Sequence, residues 1–178
     1  MPCHFEDHPT APVTPALSLV AIDRNRWSRS IGIGGRNQPE CAGLSTKIHA
    51  VVDEQGLPVR LLLSAGQASD MAAVPDLLAG LPTPAAVVAD RGYDSNAVLD
   101  LIVRSGARAS IPSCSRRIVR RSVDPAIYRQ RNLIERFFCR IKQFRRIATR
   151  FDKLARNFRA AVLLAATRLW LRTYESTP

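Results

Sequence analysis

The chain has 178 residues, of which 46% are hydrophobic, and a formal net charge of +11. This length fits one domain with a substantial core, and this composition excludes a chain that is disordered throughout. The charge is unevenly placed, because the first 100 residues hold 7 Lys/Arg and 11 Asp/Glu whereas the last 78 hold 19 and 4. A polyanionic partner is therefore predicted, with nucleic acid ahead of a membrane surface.

Cysteine spacing and hydropathy narrow the class further. The four cysteines are scattered without a CxxC pair, so neither a zinc site nor a disulfide framework is predicted. No apolar run approaches about 18 residues, which argues against a transmembrane helix. We therefore expect a cytoplasmic protein with no membrane partner.

The N-terminal part divides into two predicted regions. Residues 1–16 are rich in proline and lack a periodic apolar pattern, so they predict a loose segment that precedes a single domain over residues 17–178. Residues 17–22 form an apolar run that predicts a strand ending at Asp23. Residues 24–43 mix Arg, Gly and Asn, and predict an irregular loop.

A hairpin and a helix are predicted next. Residues 47–53 and 59–63 are rich in β-forming residues and are separated by a turn-like segment. Ser69 or Asp70 then suits the cap of a helix that continues to about Leu81.

A second strand and helix carry another carboxylate. Residues 85–89 form a continuous apolar run, typical of a central buried strand, and the run stops at Asp90. A helix over residues 95–105 and a short strand over residues 107–111 follow. This alternation predicts an α/β domain with a mixed sheet, compatible with a ribonuclease H-like arrangement.

The basic half predicts two long helices after a basic link at residues 112–124. The first covers residues 125–147 and the second covers residues 155–173, with apolar residues at helical spacing in each. At about 100° per residue, one face of the first helix gathers five residues within roughly 60°: Tyr128, Arg131, Glu135, Lys142 and Arg146. The opposite face gathers Ile134, Phe137, Ile141, Phe144 and Ala148.

Two carboxylates stand out, and each has a plain alternative. Asp90 at the end of a buried strand is well placed to hold a hard cation, but it could also be a turn residue or a helix cap. Asp94 and Ser95 fit that cap role better. Glu135 among arginines could serve only as an ion-pair partner, although its alignment with Arg131 favours a phosphate-binding face.

The basic stripe also carries a resemblance to a known family. The spacing Tyr-x2-Arg-x3-Glu-x6-Lys from Tyr128 to Lys142 matches the signature around the third catalytic carboxylate of bacterial insertion-sequence transposases of the DDE type. Four further blocks resemble that family in the correct order: LSTKIHAVVD at 44–53, GQASD at 66–70, ADRGYDS at 89–95 and RRIATR at 145–150. The resemblance covers about residues 44–172 and is closest to the insertion-sequence-five branch.

The resemblance implies a ribonuclease H-like catalytic domain whose two Asp and one Glu bind two divalent cations, Mg²⁺ with Mn²⁺ as an alternative. Asp90 would be the second Asp and Glu135 the third carboxylate. Contacts to double-stranded DNA, at transposon ends and target, would come from the signature and from neighbouring arginines: Tyr128, Arg131, Lys142, Arg136, Arg140, Arg145 and Arg146. A homodimer on DNA and an association with the bacterial nucleoid are further expectations.

The chain departs from the family pattern at the first Asp and in its length. Asp23 is the candidate for the first Asp, but the residues after it differ from the usual pattern and its spacing to Leu44 is short. Asp53 and Asp70 fall in blocks where the family does not place its metal ligand. Members of the family usually have a DNA-binding region before the catalytic core, and because these 178 residues leave little room for one, we expect a truncated product or the second reading frame of a two-frame element.

Three other functions remain open on these residues. A catalytically inactive transposase remnant would bind DNA without cleaving it. A host nuclease or resolvase of the same fold would need the carboxylates but not the transposon-end contacts. A basic RNA-binding helix pair would show no metal dependence.

Overall fold

The computed structural model describes residues 19–27, 46–152 and 154–176, and for residues 19–27 it gives the backbone and its pairing. Within these residues, five strands form one mixed sheet in the order β3-β2-β1-β4-β5. Their bounds are β1 Leu19–Trp27, β2 Thr46–Val52, β3 Pro58–Ala65, β4 Ala86–Ala89 and β5 Arg108–Ser110. The β1–β2 and β2–β3 pairs are antiparallel, whereas β1–β4 and β4–β5 are parallel. The predicted segment 1–16 and most of the predicted loop 24–43 lie outside the described residues.

Six α-helices cover the two faces of the sheet in the described part of the chain. They are α1 Val74–Leu78, α2 Asn96–Arg104, α3 Pro125–Arg129, α4 Asn132–Ile141, α5 Arg145–Ala148 and α6 Ala155–Glu175. Alternate residues of β2 point to opposite faces, so Ala50 packs with α4 and α6 while Val51 packs with α1 and α2. The α/β fold with a mixed sheet is the one predicted. None of these helices is long and apolar enough to cross a membrane.

The hairpin, the buried strand and the second helix are confirmed. β2 and β3 pair across a turn, all four residues of β4 are buried, and the Ser95 Oγ accepts a hydrogen bond from the Val98 N–H at 3.2 Å as the cap of α2. The helix after Asp70 is shorter than predicted. A 3₁₀ turn precedes α1, which ends at Leu78 rather than near Leu81.

The first strand is longer than predicted. We expected it to end at Asp23, but β1 continues to Trp27. The reason is that β2 lies antiparallel beside it and pairs with it as far as Trp27 with Thr46. The partner ladder sustains strand geometry in a segment whose polar residues alone predict a loop.

The prediction of one continuous helix over residues 125–147 is wrong. Between α3 and α4, the N–H groups of Gln130 and Arg131 donate to carbonyls three residues earlier, which is 3₁₀ geometry. After α4, Phe144 adopts an extended backbone with φ −77° and ψ 106°. The basic segment is therefore three short helices.

These breaks change the predicted helix faces. Ile134, Phe137 and Ile141 are fully buried on α4, as predicted. Arg146 lies on α5, so it does not continue the stripe of α4. On α5 the buried residue is Ile147, whereas Ala148 is exposed.

Candidate active site at the end of the parallel strands

Asp90 follows the last residue of β4 and is half-buried. Its Oδ1 accepts a hydrogen bond of 2.7 Å from the Gly92 N–H, which caps the 3₁₀ turn Arg91–Tyr93. The alternative role as a cap is therefore real, and it also serves the site, because the bond fixes the orientation of the carboxylate at the edge of the sheet.

Asp23 lies level with Asp90. The last pair between β1 and β4 joins Ile22 to Ala89, and the residue that follows each member of this pair in the chain is an aspartate. Adjacent strands are about 4.8 Å apart, which brings the two backbones close together. On its other side Asp23 pairs with Ala50, whose side chain packs in the cluster that contains α4. Directly opposed residues of antiparallel strands share a face, so the position of Asp23 is on the face covered by α4.

Glu135 is held above that face by the packing of its helix. The apolar side of α4 packs against β1 and β2, which leaves Glu135 in the first turn with 46% of its side chain exposed. Its Oε1 lies 2.8 Å from Arg131 Nη1. The Arg131 guanidinium is also 5.7 Å from the centre of the Tyr128 ring, so Arg131 contacts two other residues of the signature.

The donor chemistry of these positions suits a hard divalent cation, because carboxylate oxygens are the ligands that Mg²⁺ and Mn²⁺ prefer. Among the side chains that the structure describes, which do not include that of Asp23, no three acidic, histidine or cysteine side chains are grouped as a metal site.

The other predicted basic residues lie on exposed surfaces of α4, α5 and the turn between them. The exposed set is Arg136, Arg140, Lys142, Arg145 and Arg146. Arg146 is already engaged, since its Nη2 lies 3.2 Å from Asp152 Oδ1 and its guanidinium is 5.7 Å from the Phe151 ring centre. Exposed Arg and Lys side chains are among the groups that contact DNA phosphates in protein–DNA complexes.

Two other carboxylates have structural partners. The Asp53 Oδ1 accepts hydrogen bonds from the N–H groups of Gln55 at 3.0 Å and Leu57 at 2.8 Å, which hold the β2–β3 turn. Burial raises the pKa of Asp53 despite these bonds. Asp70 lies 3.0 Å from the Lys47 ammonium. These contacts explain both residues without a metal.

Asp94 has a role that the sequence did not reveal. It is not the cap of α2; its side chain is fully buried and accepts hydrogen bonds from the Cys114 N–H at 2.7 Å, from Arg117 Nε at 2.9 Å and from Arg121 Nη2. Desolvation alone would raise the pKa of Asp94, but the Cys114 N–H and the two guanidiniums outweigh it and hold the pKa well below its ordinary value. The partners are 20 to 27 residues away, so no local pattern could have shown them.

The sequence matches the family described as "Transposase DDE domain" over residues 14–170, which is most of its length. The chain belongs to this family. This DDE transposase domain is 37% identical over 130 residues to a putative transposase for insertion sequence element IS6501 of Brucella ovis, covering 72% of the chain and 100% of that protein. It is 27% identical over 157 residues to a putative transposase for element IS402 of Burkholderia cepacia, covering 75% of the chain and 65% of that protein.

The fold of the DDE domain also occurs in a solved assembly. A chain of the simian T-cell lymphotropic virus intasome superposes with a TM-score of 0.54 at 13% identity, over 85% of this chain and 47% of that one. At this identity the likeness shows the fold alone, and the transposase domain spans about half the length of the intasome chain. The predicted family and the predicted ribonuclease H-like fold are confirmed, and the chain is a transposase domain of a family that uses divalent metal ions.

Proposed function

We propose that Asp23, Asp90 and Glu135 form the DDE triad of this transposase and hold two Mg²⁺ ions, with Mn²⁺ as a substitute, to cleave and transfer transposon-end DNA. The observation that carries the proposal is the register of the parallel strands β1 and β4, in which Asp23 and Asp90 directly follow the last paired residues, Ile22 and Ala89. The packing of α4 on β1 supports it, because that helix carries Glu135.

The residues of the site divide the work between charge and position. Divalent cations bound by the three carboxylates would activate a water or 3′-hydroxyl and stabilise the departing oxygen. Asp90 is oriented by the Gly92 N–H, and Arg131 holds Glu135 at 2.8 Å. Such a partly exposed ion pair is worth about 0–1 kcal/mol, so Arg131 can exchange the carboxylate for a DNA phosphate at low cost. Tyr128 and Lys142 would contact the same strand near the cut.

The test is strand cleavage of a plasmid that carries the two ends of the element, with Mg²⁺ and with EDTA. Cutting at the ends that requires the metal is the expected result. Salt-sensitive DNA binding with no cutting under any metal would instead favour the inactive remnant.

Replacement of either aspartate by asparagine tests the triad directly. Asp23→Asn and Asp90→Asn are each expected to lower cleavage by at least about 10³-fold, since a lost metal ligand removes several kcal/mol of transition-state stabilisation. Asp76→Asn is the matched control, because Asp76 is an exposed carboxylate on α1. Normal cleavage by Asp23→Asn would remove Asp23 from the site and leave the first ligand to another residue.

The basic surface predicts a measurable salt dependence of DNA binding. Arg140→Ala and Arg145→Ala remove exposed guanidiniums from α4 and α5. Each is expected to reduce the magnitude of the negative slope of log binding constant against log salt concentration by about 0.9. Arg104→Ala, on the exposed end of α2 on the other side of the sheet, should leave the slope unchanged. Equal slopes in all three variants would place the DNA elsewhere.

The partners follow from the same proposal. The single domain formed by residues 17–178 would bind double-stranded transposon ends and target DNA. It would bind them as a homodimer and would associate with the bacterial nucleoid.

The Lys142→Ala variant distinguishes a transposase from a host nuclease of the same fold. A transposase should lose cutting at transposon ends more than cutting of unrelated DNA, whereas a host nuclease should lose both equally.

A further inference from the structure

The segment between β5 and α3, residues 111–124, leaves the sheet beside the proposed site. β4 and β5 are parallel neighbours, so their carboxyl ends lie at the same edge, where Asp90 follows β4. The segment then leads into α3, which contacts β4. Both ends of this connection therefore lie close to the edge that carries Asp90.

Hydrogen bonds and ion pairs hold the two ends of residues 113–121 in this segment. The buried carboxylate of Asp94 binds the Cys114 N–H, Arg117 and Arg121. The Arg121 N–H also donates to the Ser113 Oγ at 2.9 Å, which closes residues 113–121 into a loop. We call residues 113–121 the clamped loop.

The tip of the clamped loop exposes apolar side chains. Ile118 is 100% exposed and Val119 is 79% exposed, the highest values among the large hydrophobic side chains that the structure describes. Arg117 and Arg121 turn inward to Asp94, whereas Arg116 and Arg120 are exposed beside the tip. An apolar tip between two cations is complementary to DNA, where phosphates flank an apolar base stack.

We propose that the clamped loop inserts Ile118 and Val119 into the base stack of the bound DNA beside the cut, while Arg116 and Arg120 contact the flanking phosphates. Proteins that insert aliphatic side chains between base steps partially unstack and bend the duplex. The clamp at Asp94 keeps the loop beside Asp90, so that the deformation occurs next to the phosphate that reacts. This proposal rests on the proposed DNA-cleaving function.

The experiment uses a short duplex with 2-aminopurine in place of adenine at a central TA step, because such pyrimidine–purine steps unstack easily. Fluorescence of the base reports unstacking, and anisotropy of an end label reports affinity. The wild-type chain should raise the 2-aminopurine signal on binding. The double variant Ile118→Ala/Val119→Ala should lose that rise while its affinity falls by less than about tenfold, since phosphate contacts supply most non-specific affinity.

Two matched variants make the result specific. Val103→Ala removes an aliphatic side chain that is 64% exposed on α2 and should keep the full rise. Arg116→Ala/Arg120→Ala should reduce the magnitude of the slope of log binding constant against log salt concentration by about 1.8, which corresponds to two phosphate contacts. Because Ile118 and Val119 are so exposed, their removal should not alter the unfolding temperature.

Three outcomes would overturn the inference. The wild-type chain could bind DNA without a rise in 2-aminopurine fluorescence, or the Ile118→Ala/Val119→Ala variant could keep the rise. The same variant could instead change only the oligomeric state in sedimentation, which would make the tip a protein contact. Failure of the proposed function is distinct, since the wild-type chain would then show no metal-dependent cutting whatever its tip does.

Discussion

Glu135→Gln is expected to lower the rate of strand cleavage by at least about 10³-fold, while leaving the fold and the affinity for DNA nearly unchanged. Glutamine keeps the size of the side chain but offers a neutral amide where the proposed site needs a charged oxygen ligand. The side chain is 46% exposed, so its replacement creates no buried defect. Loss of its charge from the first turn of α4 should cost only about 0.3–1 kcal/mol of stability.

The measurement is single-turnover cleavage in Mg²⁺, with DNA affinity and thermal unfolding recorded on the same samples. Glu175→Gln is the matched control, because Glu175 is an exposed glutamate at the end of α6. If Glu135→Gln cleaved at the wild-type rate, the ion pair with Arg131 would be its whole role.

Asp94→Asn is expected to destabilise the domain by about 3 kcal/mol, at the lower end for a broken buried ion pair because both arginine partners are partly exposed. Asparagine keeps the volume, but it cannot balance the charges of Arg117 and Arg121. For a chain of this size, the midpoint temperature of thermal unfolding should fall by roughly 10 °C. Asp100→Asn, an exposed carboxylate on α2, should change stability by less than about 0.5 kcal/mol.

The contribution of Asp94 should also depend on pH with a fixed sign. Its pKa is lower in the folded chain than in the unfolded chain, so its stabilisation is present above the unfolded pKa of about 3.9 and is lost as the pH falls below that value. Urea unfolding should therefore show a constant difference between wild type and Asp94→Asn from about pH 5 to pH 7. The difference should shrink towards pH 3. A difference that grew on acidification would assign the stabilisation to another group.

The predicted helix over residues 125–147 shows what the spacing of apolar residues can and cannot predict. The apolar spacing identified correctly that Ile134, Phe137 and Ile141 face the core. It could not show that the chain tightens near Arg131 or extends at Phe144, because the spacing barely changes across a short break. Because of the break, Arg146 lies on a different helix from Glu135, contrary to the prediction. The predicted proximity of Arg131 and Glu135 is correct, since residues four apart lie on adjacent turns of one helix face.

By itself, the sequence determined the family, the α/β order of elements, the buried strand that precedes Asp90 and the helix that carries Glu135. These depend on residue spacing within one element, which sterics and hydrogen bonding translate directly into local structure. Only the tertiary structure decided that Asp23 lies level with Asp90, that β1 continues to Trp27, and that Asp94 binds Arg117 and Arg121. Each of these joins residues at least about 20 positions apart in the chain, and strand register and buried ion pairs exist only once the packed sheet brings such residues together.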